Sequence, residues 1–202
     1  MISSIVLEAA DAAAAEVFYK SAFGLGDRLA VRQGESPSSG FRGFTLSLVV
    51  AQPADVDLHV GDAVDAGATV LKPAAKSMWG YGGVVQAPDG AIWKIATSSK
   101  KNTAEPTREV TDVVLLIGVS SVGATKRFYT EHGFEVARSF GPMYAELDPE
   151  GGAVKLALYG RKALAKDAGV PVAGDGSHRL TIRTDKDGFT DPDGFVWESA
   201  PA

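Results

Sequence analysis

Residues 87–96, APDGAIWKIA, and residues 191–200, DPDGFVWESA, are two versions of one phrase. Each runs Pro-Asp-Gly, two apolar residues, Trp and a charge. Pro-Asp-Gly between apolar runs is a turn signal, and the residues after it alternate as a strand does. The charge is Lys94 in the first copy and Glu198 in the second, so the repeat keeps turn and strand while reversing one sign. Upstream, VFYKSAFGLGDRLAVR (17–32) resembles RFYTEHGFEVARSF (127–140). Both pairs recur in the same order at nearly the same offset, which points to a duplicated unit. Between the copies lies SSKKNTAEPTREV, polar and interrupted by Pro106, which reads as a linker. The expected organisation is a domain over 1–97, a linker over 98–110 and a second domain over 111–202.

The 202 residues are 45% hydrophobic, enough for one large core or two small ones. Charged residues make up 22% and the net charge is −5, with no basic arm or acidic tail in either half. That balance argues against disorder and against a nucleic-acid partner. The chain has no cysteine, which excludes disulfides, zinc–thiolate sites and thiol nucleophiles. The opening MISSIVLEAADAAAAE has no basic stretch and carries Glu8 and Asp11 early, so no signal peptide is read there. No apolar run approaches the roughly 20 residues of a membrane helix. A cytoplasmic protein without membrane partners is expected.

Each copy opens on a short strand, SSIVLEA or TDVVLLIGV, apolar on both faces and therefore central. A helix follows, with Asp11 or Ser121 as N-cap. Ala14–Phe18 and Ala124–Phe128 form i,i+4 pairs toward one core, and Gly24 and Gly133 stand where a helix would end. Then comes a strand, RLAVR or EVARSF. Beyond it the copies differ. Copy one has a helix near 55–66 with an apolar stripe of Val56, His59, Val60, Ala63 and Val64, ended by Gly67. Copy two has a hairpin over 144–160 turning at Asp-Pro-Glu-Gly-Gly, where copy one has only QGESPSSGFRG. The trimming is complementary, so the halves cannot present identical cavities.

With Phe-Tyr near each first helix end, GFEV after it, WGYGGVVQAPDGAIW and DPDGFVWE, the chain resembles the vicinal oxygen chelate superfamily. This is the glyoxalase, bleomycin-resistance and extradiol-dioxygenase group. The likeness covers almost the whole chain, twice. It implies an α+β fold of tandem βαβββ modules forming two glyoxalase-like domains with cup-shaped curved sheets, each domain partly truncated. Members are metal-dependent lyases, isomerases and dioxygenases, thiol transferases that inactivate antibiotics, or metal-free proteins that sequester drugs, so the fold alone does not name a chemistry.

Family enzymes place one His in the first strand, another at the start of a later strand and a Glu in the last. Two imidazoles and a carboxylate on one face hold a divalent ion while leaving positions open for substrate oxygens. Carried onto this chain, the first position is Ser4 in copy one and Val114 in copy two. The second is Phe44 or His178, and the third Lys94 or Glu198. Copy one has none of the three ligands and reads as a metal-free cup with a lysine in the carboxylate's place. Copy two keeps His178 and Glu198. These could bind a metal with a further carboxylate such as Asp112 or Glu146, or form a hydrogen-bonded pair acting as general base, or be a strand-end residue and a solvated one.

The loop SMWGYGG (77–83) sets Met78, Trp79 and Tyr81 among three glycines, which allow close backbone approach to a ligand, and its aromatic faces suit stacking. In similar family members this loop borders the cavity. Trp93 and Trp197 alternate with Lys94 and Glu198 and so face the helices. Phe44, Leu46 and Leu48 share one strand face, as do His178, Leu180 and Ile182, and would give apolar cup walls. Glu8 could meet Lys94, and Tyr144, Lys155 and Tyr159 lie on the hairpin. His59 reads as a packing residue and His132 as a helix cap.

The favoured expectation is a metal-independent protein binding a small apolar or aromatic molecule, for sequestration or sensing, through Trp79, Tyr81, Met78, Phe44, Lys94 and Ser4. It needs no cofactor. The alternatives are a metal-dependent lyase or dioxygenase with His178 and Glu198 as catalytic residues and a divalent metal, and a degenerate structural member whose exposed edges are covered in a homodimer.

Overall fold

The computed structural model describes residues 1–147 and 152–200. Among them the chain forms four α-helices and fifteen strands. The first half contains β1 (Ile2–Ala9), α1 (Ala12–Ala22), β2 (Leu29–Gln33), β3 (Ser38–Gly40), β4 (Phe44–Val49), α2 (Pro53–Asp65), β5 (Thr69–Ser77), β6 (Gly80–Gln86) and β7 (Ile92–Thr97). The second contains β8 (Asp112–Val119), α3 (Val122–Glu131), β9 (Val136–Phe140), β10 (Tyr144–Leu147), β11 (Lys155–Gly160), α4 (Arg161–Ala168), β12 (Gly174–Gly176), β13 (Leu180–Thr184), β14 (Phe189–Thr190) and β15 (Val196–Ser199). The hairpin turn at Asp148, Pro149, Glu150 and Gly151 lies outside the described residues.

An eight-stranded sheet runs β5-β6-β7-β4-β8-β11-β10-β9, and a five-stranded sheet runs β14-β15-β13-β1-β2. The small ribbon β12-β3 joins two connections. Each half of the large sheet is a complete βαβββ module with its first strand inside, then its fourth, third and second. The two first strands, β4 and β8, meet antiparallel in the middle, Leu46 opposite Leu115. The smaller sheet is built from what remains of two shorter modules, joined by β1 antiparallel to β13 with Ile5 opposite Ile182. The complementary trimming thus has a structural form: the complete modules pair with each other, and so do the trimmed ones. Both sheets take strands from each side of residues 98–110, which form no helix or strand.

β1 and β8 have a hydrogen-bonded neighbour on both sides, as their apolar runs require. Asp11 caps α1, its side chain accepting from the Ala14 N–H at 2.9 Å, and Ser121 caps α3 in the same way. The helices press aromatic rings onto the repeated tryptophans. Tyr19 and Phe23 lie 5.5 and 4.7 Å from Trp93, and Tyr129 and Phe134 lie 5.5 and 5.2 Å from Trp197. In each copy a helix tyrosine is bonded to the following turn, through non-equivalent aspartates: Asp89 within Pro-Asp-Gly in the first, Asp191 just before Pro192 in the second. Tyr19 Oη donates to Asp89 at 2.8 Å and Tyr129 Oη to Asp191 at 2.7 Å. Burial, reinforced by the adjacent carboxylate, pushes both phenols well up, so they stay protonated donors.

Two buried polar residues at the start of α2 tie down the connection between the copies. Gln52 Oε1 accepts from the Thr103 and Ala104 N–H groups at 2.8 and 3.0 Å, and its Nε2 donates to the Ala104 and Glu105 carbonyls. Asp55 accepts from the Thr107 N–H at 2.8 Å. Each unpaired backbone group buried there would cost a lost hydrogen bond, so these side chains satisfy what the irregular segment cannot. Among the described residues, no helix is long and apolar enough to cross a membrane.

Candidate functional site

Strand register decides which face each candidate occupies. In the large sheet Leu46 lies beside Trp93 and Ser47 beside Lys94. Phe44, Leu46 and Leu48 therefore face the helices with Trp93. Phe44, 2% exposed, is core and not cup wall, and the Lys94 face carries Thr45 and Ser47 instead. The small sheet repeats the correction. Ile182 pairs with Trp197 and Arg183 with Glu198, so Leu180 and Ile182 turn to the helices. Counting by twos groups residues onto one face but does not say which face is the cup.

On the Glu198 face of the small sheet, Ser4 is buried opposite Arg183. Glu198 accepts from Arg32 Nη1 at 3.1 Å, and Arg32 Nη2 donates to Thr181 Oγ1 at 2.7 Å. Glu198 is thus charge-paired with a guanidinium. His178 stands before β13, followed by Arg179 with a left-handed φ of 50°. Its Nδ1 is 2.5 Å from the Arg42 carbonyl and its Nε2 3.1 Å from the Asp193 carbonyl, with the ring stacked on Phe195 at 3.9 Å. Both ring nitrogens face carbonyl oxygens, and His178 and Glu198 are not brought together. The carboxylates that could have completed a triad lie elsewhere. Asp112 pairs with Lys155 at 3.1 Å, and Glu146 accepts from Tyr144 Oη at 3.4 Å.

Glu8 accepts from the Ser36 N–H at 2.5 Å and not from Lys94. Burial raises its pKa, but the Ser36 hydrogen bonds with Arg32 and Arg179 outweigh that and hold it below the ordinary value. His59 is buried in the core, its Nδ1 3.5 Å from the Ala22 carbonyl, and burial lowers its pKa. Among the described residues no group of three or more His, Asp or Glu side chains could hold a metal ion. The divalent metal implied by the resemblance does not fit the residues at these positions: a core phenylalanine, a valine, a lysine, a buried serine, a guanidinium-paired glutamate and a histidine whose ring nitrogens face two backbone carbonyls.

The cup face of the large sheet carries an element absent from the sequence reading, α4. Leu164, Ala165 and Ala168 bury themselves against Val84, Ile92 and Phe41. The helix can lie this close because β8 has Gly118: a Cβ there would come within 3.0 Å of the Gly43 carbonyl oxygen and 3.1 Å of Arg161 Cα. Two lysines secure the far end of α4. Lys94 Nζ meets Asp167 Oδ2 at 2.7 Å, and Lys72 Nζ donates to the Lys166 and Asp167 carbonyls at 2.8 and 2.6 Å. Ammonium groups at a helix C-terminus also complement its dipole. The sign reversal in the repeated phrase follows: Lys94 answers an aspartate on α4, while Glu198 answers Arg32.

Between the end of α4 and strands β5–β7 a cavity of about 490 Å³ remains, lined by Lys72, Lys76, Trp79, Tyr81, Val84 and Lys94 among others. Three of the expected ligand residues, Trp79, Tyr81 and Lys94, are therefore brought together. Met78 is 80% exposed and does not line the cavity, and Trp79, 84% exposed, stands at its rim. Tyr81 Oη donates to Asp57 at 2.7 Å, and that bond raises the phenol's pKa. The loop glycines serve the sheet. A Cβ at Gly82 would come within 2.9 Å of the Ile95 carbonyl oxygen, and one at Gly80 would strike that of Thr97. A second cavity of about 740 Å³, lined by Asp11, Val17, Phe18, Asp62, Asp65 and Arg179 among others, contains none of the expected site residues.

Comparisons with protein-family models and with curated proteins find no match. Solved structures do match. A point variant of glyoxalase I from Zea mays superposes with a TM-score of 0.64 at 12% identity, over 97% of this chain and 90% of that one. Glyoxalase I from Zea mays gives 0.63 at 14% identity over the same shares. A dioxygenase candidate from Bacillus subtilis subsp. subtilis str. 168 gives 0.60 at 11%, over 97% of this chain and 83% of that one. At these identities the likeness concerns architecture. It spans both sheets and both pairs of modules, and the chain has the vicinal oxygen chelate fold, the fold of glyoxalase I.

Proposed function

We propose that the chain is a metal-independent binding protein that takes a small apolar or aromatic molecule into the cavity between α4 and β5–β7. The observation that carries this reading is the cavity itself, about 490 Å³ with Trp79 and Tyr81 beside apolar Val84 and Ala96. Largely preformed concave sites of this size, walled by apolar and aromatic groups with few polar ones, suit small ligands. The replacement of metal-ligand positions by Phe44, Val114 and Lys94 supports binding without a metal.

Titration with 2-naphthalenemethanol, followed by Trp fluorescence, tests it. Trp93 and Trp197 are buried in the core, so a saturable change belongs to Trp79. Trp79→Ala is expected to remove that signal and to weaken binding, read calorimetrically, by about three- to tenfold, the worth of one aromatic contact. Unchanged affinity in Trp79→Ala takes the loop out of the site. Elemental analysis giving one transition-metal ion per chain would overturn metal independence.

A further inference from the structure

We infer that the ligand of this cavity is an anion, an aromatic or apolar carboxylate whose acid group takes the place of the Asp167 carboxylate on Lys94. The inference rests on the cavity being the binding site and adds what that site selects. The lining carries three lysines, Lys72, Lys76 and Lys94, against one carboxylate, Asp167. That is a local positive excess in a chain whose net charge is −5. Two of the ammonium groups converge on one residue: Lys94 Nζ on Asp167 Oδ2 at 2.7 Å and Lys72 Nζ on the Asp167 carbonyl at 2.6 Å. A carboxylate standing where the Asp167 side chain stands would reach Lys94, while Lys72 stays on the carbonyls that end α4.

The two sides of this pair are not held equally. Lys94 belongs to β7, which has hydrogen-bonded strands on both sides, Ser47 opposite it on β4 and Val84 on β6. Asp167 lies in the last turn of an eight-residue helix that ends at Gly169. The cation is built into the sheet, and its partner is the exchangeable group. The side chains of Lys94 and Asp167 are 36% and 42% exposed; such pairs contribute little to stability, so exchange for another carboxylate costs little. Among the described residues this is the one ion pair in the cavity. A carboxylate group on Lys94 leaves the rest of the ligand facing Val84, Ala96 and the rings of Tyr81 and Trp79.

The test compares 2-naphthoate with its neutral counterpart 2-naphthalenemethanol by calorimetry, on the full chain and on Lys94→Met and Asp167→Asn. A hydrogen bond to the charged Lys94 favours the acid by about tenfold. The expected result is that preference in the parent chain, its loss in Lys94→Met, and several-fold tighter naphthoate binding in Asp167→Asn with the alcohol unaffected. Equal binding of acid and alcohol overturns the inference and leaves the binding cavity standing, as does a preference untouched by Lys94→Met. Failure of both molecules to bind overturns the cavity reading as well. Circular dichroism of each variant confirms the fold. If Lys94→Met does not fold, the parent ratio and Asp167→Asn decide the matter: naphthoate binding no tighter in Asp167→Asn than in the parent chain overturns the inference.

Discussion

Replacing Leu164 with alanine asks what holds α4 on the sheet. Leu164 is fully buried and packs with Ala165 and Ala168 against Val84, Ile92 and Phe41. Truncating a buried leucine costs roughly 2–5 kcal/mol, depending on how far the site can collapse. This cluster is small and adjoins an open cavity, which places the expected loss in the lower half, about 2–3 kcal/mol. For a chain of this length that lowers Tm by about 5–10 °C. The contrasting variant is Lys94→Met, which removes a half-exposed ion pair worth under about 1 kcal/mol. Urea unfolding followed by far-UV circular dichroism, with m compared between variants, measures both. A Leu164→Ala loss below about 1 kcal/mol at unchanged m, or a Lys94→Met loss exceeding it, refutes the claim that apolar contact seats the helix.

Gln52→Ala strips four backbone groups of the 98–110 connection of their partners. The expected cost is about 1–3 kcal/mol, with faster hydrogen exchange at Thr103 and Ala104; unchanged exchange there would show that the glutamine does not fasten the segment. His59 gives a pH dependence. Burial holds its folded pKa below 6.5, so as pH falls through 6.5 the unfolded chain takes up a proton first. The stability from neutral His59 is full above that pH and declines as pH falls toward the folded pKa. His59→Leu should flatten the denaturation midpoint across this window, and persistence of the parent slope would assign it to another group.

Much of the fold was legible because it rests on local signals. Each Phe-Tyr helix is tied to the turn of its partner motif, through Asp89 of Pro-Asp-Gly in the first copy and through Asp191, just before Pro192, in the second, and Asp11 and Ser121 cap where their side chains suit. α4 is not read from the sequence, although RKALAKDAG carries the cue. Leu164, Ala165 and Ala168 fall on one helical face, and Gly169, with φ of 79°, ends it. Eight residues are too few for periodicity to stand out beside a hairpin. The orientation of Phe44 and Ile182 was not readable, because it depends on strands far away in sequence. Family position makes a pair of His178 and Glu198, yet the left-handed Arg179 and the neighbouring Arg32 send them to different partners. The Lys94 reversal was visible, but its reason, Asp167, lay in the overlooked helix.

The pairing of β1 with β13 has a consequence for how the molecule is made. Ile5 must wait for Ile182, so during synthesis one side of the earliest strand stays unpartnered while most of the chain emerges. Contacts so distant in sequence are slow to form, and a bare strand edge invites pairing with the wrong neighbour. The large sheet needs only β4 and β8 to meet at its centre, so it can nucleate sooner. The smaller sheet would then assemble as a late seal, and truncated or stalled chains lacking β13 should be the aggregation-prone species.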